Sequence, residues 1–268
     1  MTKYSHVMEC HGRVPVKVTW KDGEVTVEAT GEPSVEECPL MSHKEGYGKL
    51  SRKSAENHVL KLIEEIGAFT PRRKVIDCEP YVSFGVSESL STALQYGLLD
   101  AVVLVSDCLG TVVTDKPALV QGLGGRISGI VETDPVPEVV EKVESKGAVV
   151  LERIDQEEGL ETALEEGFER VAVTVTDPET AVALKEAHDT VFLAAVHVSD
   201  VEDHEAETLV DSCDLVTGCP GPAAELAGKR SLLQAGEGIP VHAMTGWGVD
   251  VMLARIRELT GFRKVMVR

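Results

Sequence analysis

The chain has 268 residues, 43% hydrophobic and 26% charged, enough to bury one large α/β core or two smaller ones. Aromatic residues make up only 4%, so Val, Leu, Ile and Ala must fill the interior, a mixture suited to parallel strands covered by helices. A net charge of −19 argues against nucleic acid or an anionic membrane as the main partner, because both need basic surface; it fits a surface adapted to high salt, ahead of an acidic face for a basic partner.

The first fifty residues differ from the rest. Residues 14–20 and 24–30 alternate or are β-branched, and Lys21-Asp22-Gly23 between them is a hairpin signal. A small β-rich segment is therefore expected over 1–50, followed by an α/β domain over 51–268 with an internal division near 132–136. Residues 42–49 are polar and rich in turn formers. A helix is expected from Ser51 or Ser54, with Val59, Leu60, Ile63 and Ile66 on one face and Gly67 ending it. Residues 87–96 read as a second helix. Residues 101–105 form a buried strand, and 110–113 a second short one. Residues 116–121 look helical, and a Pro-bounded helix follows Pro135.

Further on, strands are expected at 148–151, 171–175, 191–196, 215–217, near Leu232 and at 241–244. Helical patterns lie between them at 156–166, 178–187, 201–212 and 222–228, with a last helix at 249–259. This alternation predicts crossover connections and a mainly parallel sheet flanked by helices in Rossmann-like layers. The N-terminal stretch has no long apolar run, and no window approaches the roughly 20 apolar residues a membrane helix needs. A cytoplasmic protein is expected, with a homodimer as the default assembly.

Six cysteines, Cys10, Cys38, Cys78, Cys108, Cys213 and Cys219, contain no CxxC pair, so zinc-ribbon, thioredoxin and ferredoxin patterns are absent. In a reducing compartment they are expected as free thiols. Cys38, Cys108 and Cys219 are the candidate ligands for a metal or iron–sulfur cluster, against the plain reading of small buried core residues. Cys108 and Cys219 follow strands, and Cys219 precedes Pro-Gly-Pro, where a helix N-terminus lowers a thiol's pKa. His197 also ends a strand and is a candidate acid–base group or ligand. Asp107 ends another and suits a ribose, a metal or only a loop. With Cys219 these two form the candidate catalytic set. His11 beside Cys10 is a weaker ligand pair. Trp247 either stacks on a flat ligand or packs on the sheet.

The run from Leu119 to Gly147 is the most distinctive. Gly122, Gly124, Gly125 and Gly129 let backbone N–H groups approach an anion, Arg126 can fork onto phosphate or carboxylate, and Ser128 adds a hydroxyl. A Rossmann fingerprint would need a strand before the glycines and a helix straight after, and no Walker lysine follows. The competing reading is a tight, close-packed connection.

Several motifs together resemble one family. They are His11-Gly12-Arg13-Val14, Lys21-Asp22-Gly23, Cys38-Pro39-Leu40, Phe84-Gly85 with Ser87-Glu88, and Gly110-Thr111-Val112. They continue with Pro117 through Gly129, Pro135-Val136-Pro137-Glu138-Val139, Ile154-Asp155-Gln156, Val171 through Val175 and Ala195-Val196-His197. On these the chain resembles methanogenesis marker protein 8, a family of unknown function associated with methane-producing archaea. The resemblance covers nearly the whole chain. It implies an accessory or cofactor/enzyme-maturation protein linked to methanogenesis, and the acidic composition fits a thermophilic, salt-rich methanogen. It brings no catalytic residues and no known cofactor. The residues add a small anionic ligand or cofactor, bound at strand carboxyl ends. The alternatives are an assembly factor docking on a methanogenesis enzyme complex, and a metal or iron–sulfur carrier.

Overall fold

The computed structural model describes residues 2–260. The strands are β1 (Lys3–Cys10), β2 (Val14–Lys21), β3 (Glu24–Ala29), β4 (Ala101–Ser106), β5 (Gly110–Thr114), β6 (Ile130–Thr133), β7 (Val149–Val150), β8 (Val171–Val175), β9 (Phe192–Ala195), β10 (Leu215–Thr217), β11 (Leu233–Ala235) and β12 (Val241–Ala243). The helices are α1 (Pro39–Glu45), α2 (Arg52–Ile66), α3 (Val86–Gln95), α4 (Pro117–Gly124), α5 (Pro137–Glu144), α6 (Gln156–Glu165), α7 (Pro178–Ala187), α8 (Asp203–Ser212), α9 (Pro222–Arg230) and α10 (Gly246–Thr260).

Local chemistry explains most boundaries. Ser51 caps α2, its side chain accepting from the Ser54 N–H while Ser54 bonds back, and Gly67 closes the helix at φ +67°. Asp177 accepts from the Thr180 N–H at 2.8 Å and Pro178 sets the first turn of α7. The β8 run Val-Ala-Val-Thr-Val is buried on both faces, as a central parallel strand must be.

The larger sheet has eight strands in the order β11-β12-β10-β9-β8-β4-β5-β7. Only its centre is parallel: β4, β8, β9 and β10 run together, and the pairings on both flanks are antiparallel. The expected parallel sheet is thus present at the centre, with antiparallel additions on both flanks. The strands expected at 101–105 and 110–113 form a β4–β5 hairpin, and those expected near Leu232 and at 241–244 form the antiparallel β11–β12 pair. The four parallel strands also follow one another in chain order, without the reversal that opens a crevice in a doubly wound sheet.

Alternating strand residues feed two cores. Val102, Leu104, Ala172, Phe192 and Leu215 pack with residues of α3, α4, α5 and α10. Val103, Val173, Leu193, Ala195 and Val216 pack with α6 to α9 on the other face. Each fully buried Leu or Phe here contributes about 1.5–3 kcal/mol. Trp247 stands edge-on to Phe192 with ring centroids 5.1 Å apart, so its ring is spent on packing.

The smaller sheet is antiparallel, in the order β3-β2-β1-β6. Its apolar face, with Met8, Cys10, Val14, Val16 and Val18, is covered by Ala55, Val59, Leu62 and Ile66 of α2. The expected hairpin is β2–β3. Two of its four strands had no sequence expectation: β1, and β6, which lies inside the distinctive central run. Pairing of β6 with β1 ties the first fifty residues to the centre of the chain.

Candidate functional site

A cavity of about 160 Å³ lies where the carboxyl ends of β9 and β10 meet the turn after β1, α1 and α2. Its walls include Gly124, Gly125, Arg126 and Ser128 from the central run, His197 after β9, Cys219 after β10, and Cys38 just before α1. Tyr81, Glu88, His11 and His58 complete much of the remainder. Segments far apart in sequence are therefore brought together here.

His197 sits with φ +56°, in the left-handed region that non-glycine residues seldom adopt. Such conformations cost of order 1–3 kcal/mol and concentrate at functional positions. Only 8% of its side chain is exposed; Nε2 lies 3.7 Å from Glu9 Oε2 and has no hydrogen-bond partner. Glu9 in turn accepts from Arg13 Nε at 2.9 Å. Gly129 makes this arrangement possible. At φ +75° it accepts the Glu9 N–H at 2.7 Å, and a Cβ there would stand 2.5 Å from the Glu9 carbonyl oxygen and 2.8 Å from the His197 ring.

The other glycines of the run are also explained by close packing. Gly122 lies inside α4 against the backbone of Val75, away from the cavity. A Cβ on Gly124 would meet Ser87 Oγ at 2.8 Å, and one on Gly125 would strike Gln121. Arg126 Nη1 donates to Glu65 Oε2 at 2.9 Å, its Nη2 lies 3.9 Å from Asp77, and its guanidinium stacks 5.0 Å from the Tyr81 ring centroid. Its Nε–H is buried and unpaired, which leaves one donor free. Burial, helped by the Glu45 charge, pushes the Tyr81 hydroxyl up to about 12, so this ring stays neutral.

Asp107 and Cys108 lie outside this cavity, in the β4–β5 hairpin turn. Asp107 is fully buried: it accepts from the Phe69 N–H at 2.7 Å and from Arg73 Nε at 2.9 and 3.1 Å. Burial acts to raise its pKa, but the Arg73 charge and the Phe69 N–H outweigh that and hold the carboxyl below its ordinary value. The Cys108 sulfur faces the Thr70 carbonyl at 3.9 Å, and burial followed by the Asp107 charge pushes its thiol well up. The two residues thus anchor the segment around Phe69 and Arg73 rather than facing a ligand, and Cys108 does not join Cys38 and Cys219. Cys219 lies three residues before Pro222, the first residue of α9, so the helix N-terminus does not reach it; its Sγ is 3.3 Å from Thr217 Oγ1.

His58 and Glu45 had no place in the sequence reading. His58 is buried on the same face of α2 as Ala55, Val59 and Leu62, and a histidine within that apolar stripe was the available signal. Its Nδ1 is 2.8 Å from Glu45 Oε1, with Lys61 Nζ 3.4 Å from the same oxygen. Burial works to raise the Glu45 pKa, yet the bond from His58 and the neighbouring charges hold it low, so the carboxylate accepts and His58 Nδ1 donates. His11 packs edge-on to His58 at 4.7 Å between centroids. Burial, then the two neighbouring histidines His58 and His197, keep the His11 pKa well below its ordinary value.

Among the described residues no helix is long and apolar enough to cross a membrane. No solved structure matches the chain. A protein of Methanocaldococcus jannaschii named "Uncharacterized protein MJ0054" is 38% identical over 263 residues, covering 95% of this chain and 91% of that protein. Residues 6–257 match the family model described as "Uncharacterized protein conserved in archaea (DUF2099)". The chain belongs to this archaeal family.

Proposed function

We propose that this protein is a methanogenesis-associated accessory or maturation factor of the marker protein 8 type, and that its cavity binds a small anionic ligand or cofactor. The relative in a methane-producing archaeon supports the first part. The second rests on one observation: a single cavity collects the Arg126–Ser128 turn, His197, Cys219 and Cys38. In this reading the unpaired Arg126 Nε–H and the Ser128 hydroxyl hold the anionic end of the ligand. His197, with its unpartnered Nε2, and Cys219 face the other end. Because Arg126 is already paired with Glu65, a ligand with several acceptor oxygens competes best, such as a phosphate or a polycarboxylate.

The test is a thermal-shift screen with inorganic phosphate, pyrophosphate and citrate on the wild type and Arg126→Ala. A ligand present at a hundred times its Kd stabilises by about 2.7 kcal/mol, which for a chain of this size is roughly 5–10 °C. The expected result is such a shift in the wild type and its loss in Arg126→Ala. Equal shifts in both, or none with any of the three, overturn the reading.

A further inference from the structure

We infer that Cys10, His11, Cys38 and His58 form a four-ligand site for a zinc-class divalent transition metal at the edge of this cavity. One ligand atom each from Cys10, His11 and His58 lie within 4.8 Å of one another. Cys38 Sγ is 4.0 Å from His11 Nδ1, on the cavity side of the group. A tetrahedral Cys2His2 zinc site, with bonds of about 2.0–2.3 Å, sets its ligand atoms about 3.3–3.8 Å apart. The grouped atoms of Cys10, His11 and His58 contract toward those separations, and Cys38, which lies outside that group, completes the set by turning its side chain toward them.

Two further observations point to a cation rather than to ordinary core packing. The Nε2 atom of His11 is buried and has no hydrogen-bond partner, a cost that an apolar core would not retain. His58 gives its other ring nitrogen to a buried carboxylate, Glu45, at 2.8 Å. A carboxylate behind a histidine fixes the tautomer and ring orientation of metal-ligating imidazoles and raises their basicity. Two thiolates and two imidazoles select zinc-class metals over magnesium or calcium, which prefer oxygen ligands. On binding, each thiol gives its proton to the buffer and the imidazoles stay neutral, so one divalent ion releases two protons.

The ligands come from the end of β1, the turn after it, the residue before α1 and the middle of α2. A bound ion would therefore join three pieces of the N-terminal third, next to the place where a cavity ligand sits. This assignment is independent of whether the cavity takes an anion.

The experiment is a cobalt(II) titration of the full chain, stripped with chelator and kept anaerobic. The expected result is one cobalt per chain, with tetrahedral d–d bands, sulfur-to-cobalt charge transfer, release of two protons and displacement by zinc. Cys38→Ser and His58→Ala should each remove or shift these bands, with folding checked by circular dichroism. Glu45→Gln should keep the bands but weaken binding about 10–100-fold. Cys78→Ser, at an exposed thiol, should change nothing. If the fully buried Cys10→Ser variant fails to fold, Cys38→Ser carries the test. Absence of stoichiometric cobalt binding in the wild type overturns the site, and so do bands that survive Cys38→Ser and His58→Ala combined, or that vanish with Cys78→Ser.

Discussion

The Asp107–Arg73 pair gives the sharpest stability prediction. Both side chains have 0% exposure, and the carboxylate accepts from Arg73 Nε and from the Phe69 N–H. Arg73 also donates to the carbonyls of Lys74 and Leu123. Asp107→Asn keeps the shape but leaves the guanidinium charge buried without its counter-ion. Breaking a buried pair from one side costs about 3–5 kcal/mol. For a chain of this length each kcal/mol lowers the midpoint by about 2–4 °C, so the expected drop is roughly 6–20 °C. Urea unfolding followed by circular dichroism measures the loss, with an unchanged m value showing that the native state stays intact. Replacing both partners together, Asp107→Leu with Arg73→Met, should recover most of it, because an apolar pair of similar volume leaves no charge stranded. A single-variant loss below about 1 kcal/mol would refute the assignment of Asp107 as an internal anchor.

The same pair sets an acid limit. Its folded-state pKa is held below the ordinary value, so the ionised form contributes stability above the unfolded carboxylate pKa of about 3.9, and that contribution is lost as pH falls through the lower folded value. Acid unfolding curves should therefore show a steep limb below about pH 4 that flattens in Asp107→Asn. Gly129→Ala combines a φ of +75° with a Cβ placed 2.5 Å from Glu9 O, and should cost more than about 1–2 kcal/mol in urea unfolding; a neutral result would mean that the Gly129–His197 contact is loose. Cys78 is the exposed cysteine of the six, so one thiol should react rapidly with a chromogenic disulfide reagent in the native protein, and Cys78→Ser should abolish that fast phase.

Elements governed by local signals were legible in the sequence. Caps at Ser51 and Asp177, the Asp22-Gly23 turn and the β-branched run of β8 each depend on neighbours within a few residues. Non-local pairing was not legible. β1 alternates only weakly in sequence although it pairs along its whole length with β2, and β6 is exposed enough to read as a linker, because its strand identity comes from its pairing with β1. The two strands around Ser-Asp-Cys-Leu-Gly were legible, but not the tight reversal between them, in which Cys108 at φ +67° and Gly110 at φ +87° turn the chain straight back. That reversal takes Asp107 and Cys108 from an open strand tip into the interior. Cys38, Arg126, His197 and Cys219 were visible as candidates from their residue type and their place at loops and strand ends. His58 and Glu45 were not: the one signal was a histidine within the apolar stripe of α2, and an acid at a helix end signals nothing until tertiary contact pairs it.

The central glycine run acts as a spacer more than as a cradle. Gly122 lets α4 seat on the backbone of Val75, and Gly129 lets the chain pass between Glu9 and His197 before it pairs as β6. Between these two fixed points the chain has only Leu123 to Ser128 in which to leave a helix and reach the smaller sheet. A bulky residue at Gly124 or Gly125 would strike Ser87 or Gln121 along that path. Arg126 and Ser128 are therefore held at the cavity wall by packing on both sides, and this pre-organisation lowers the ordering cost of any ligand they meet. The same crossing brings the His197 ring within reach of Glu9, one residue before Cys10 and two before His11. The glycines thus serve the polar residues of both walls indirectly, by setting how closely the two sheets approach.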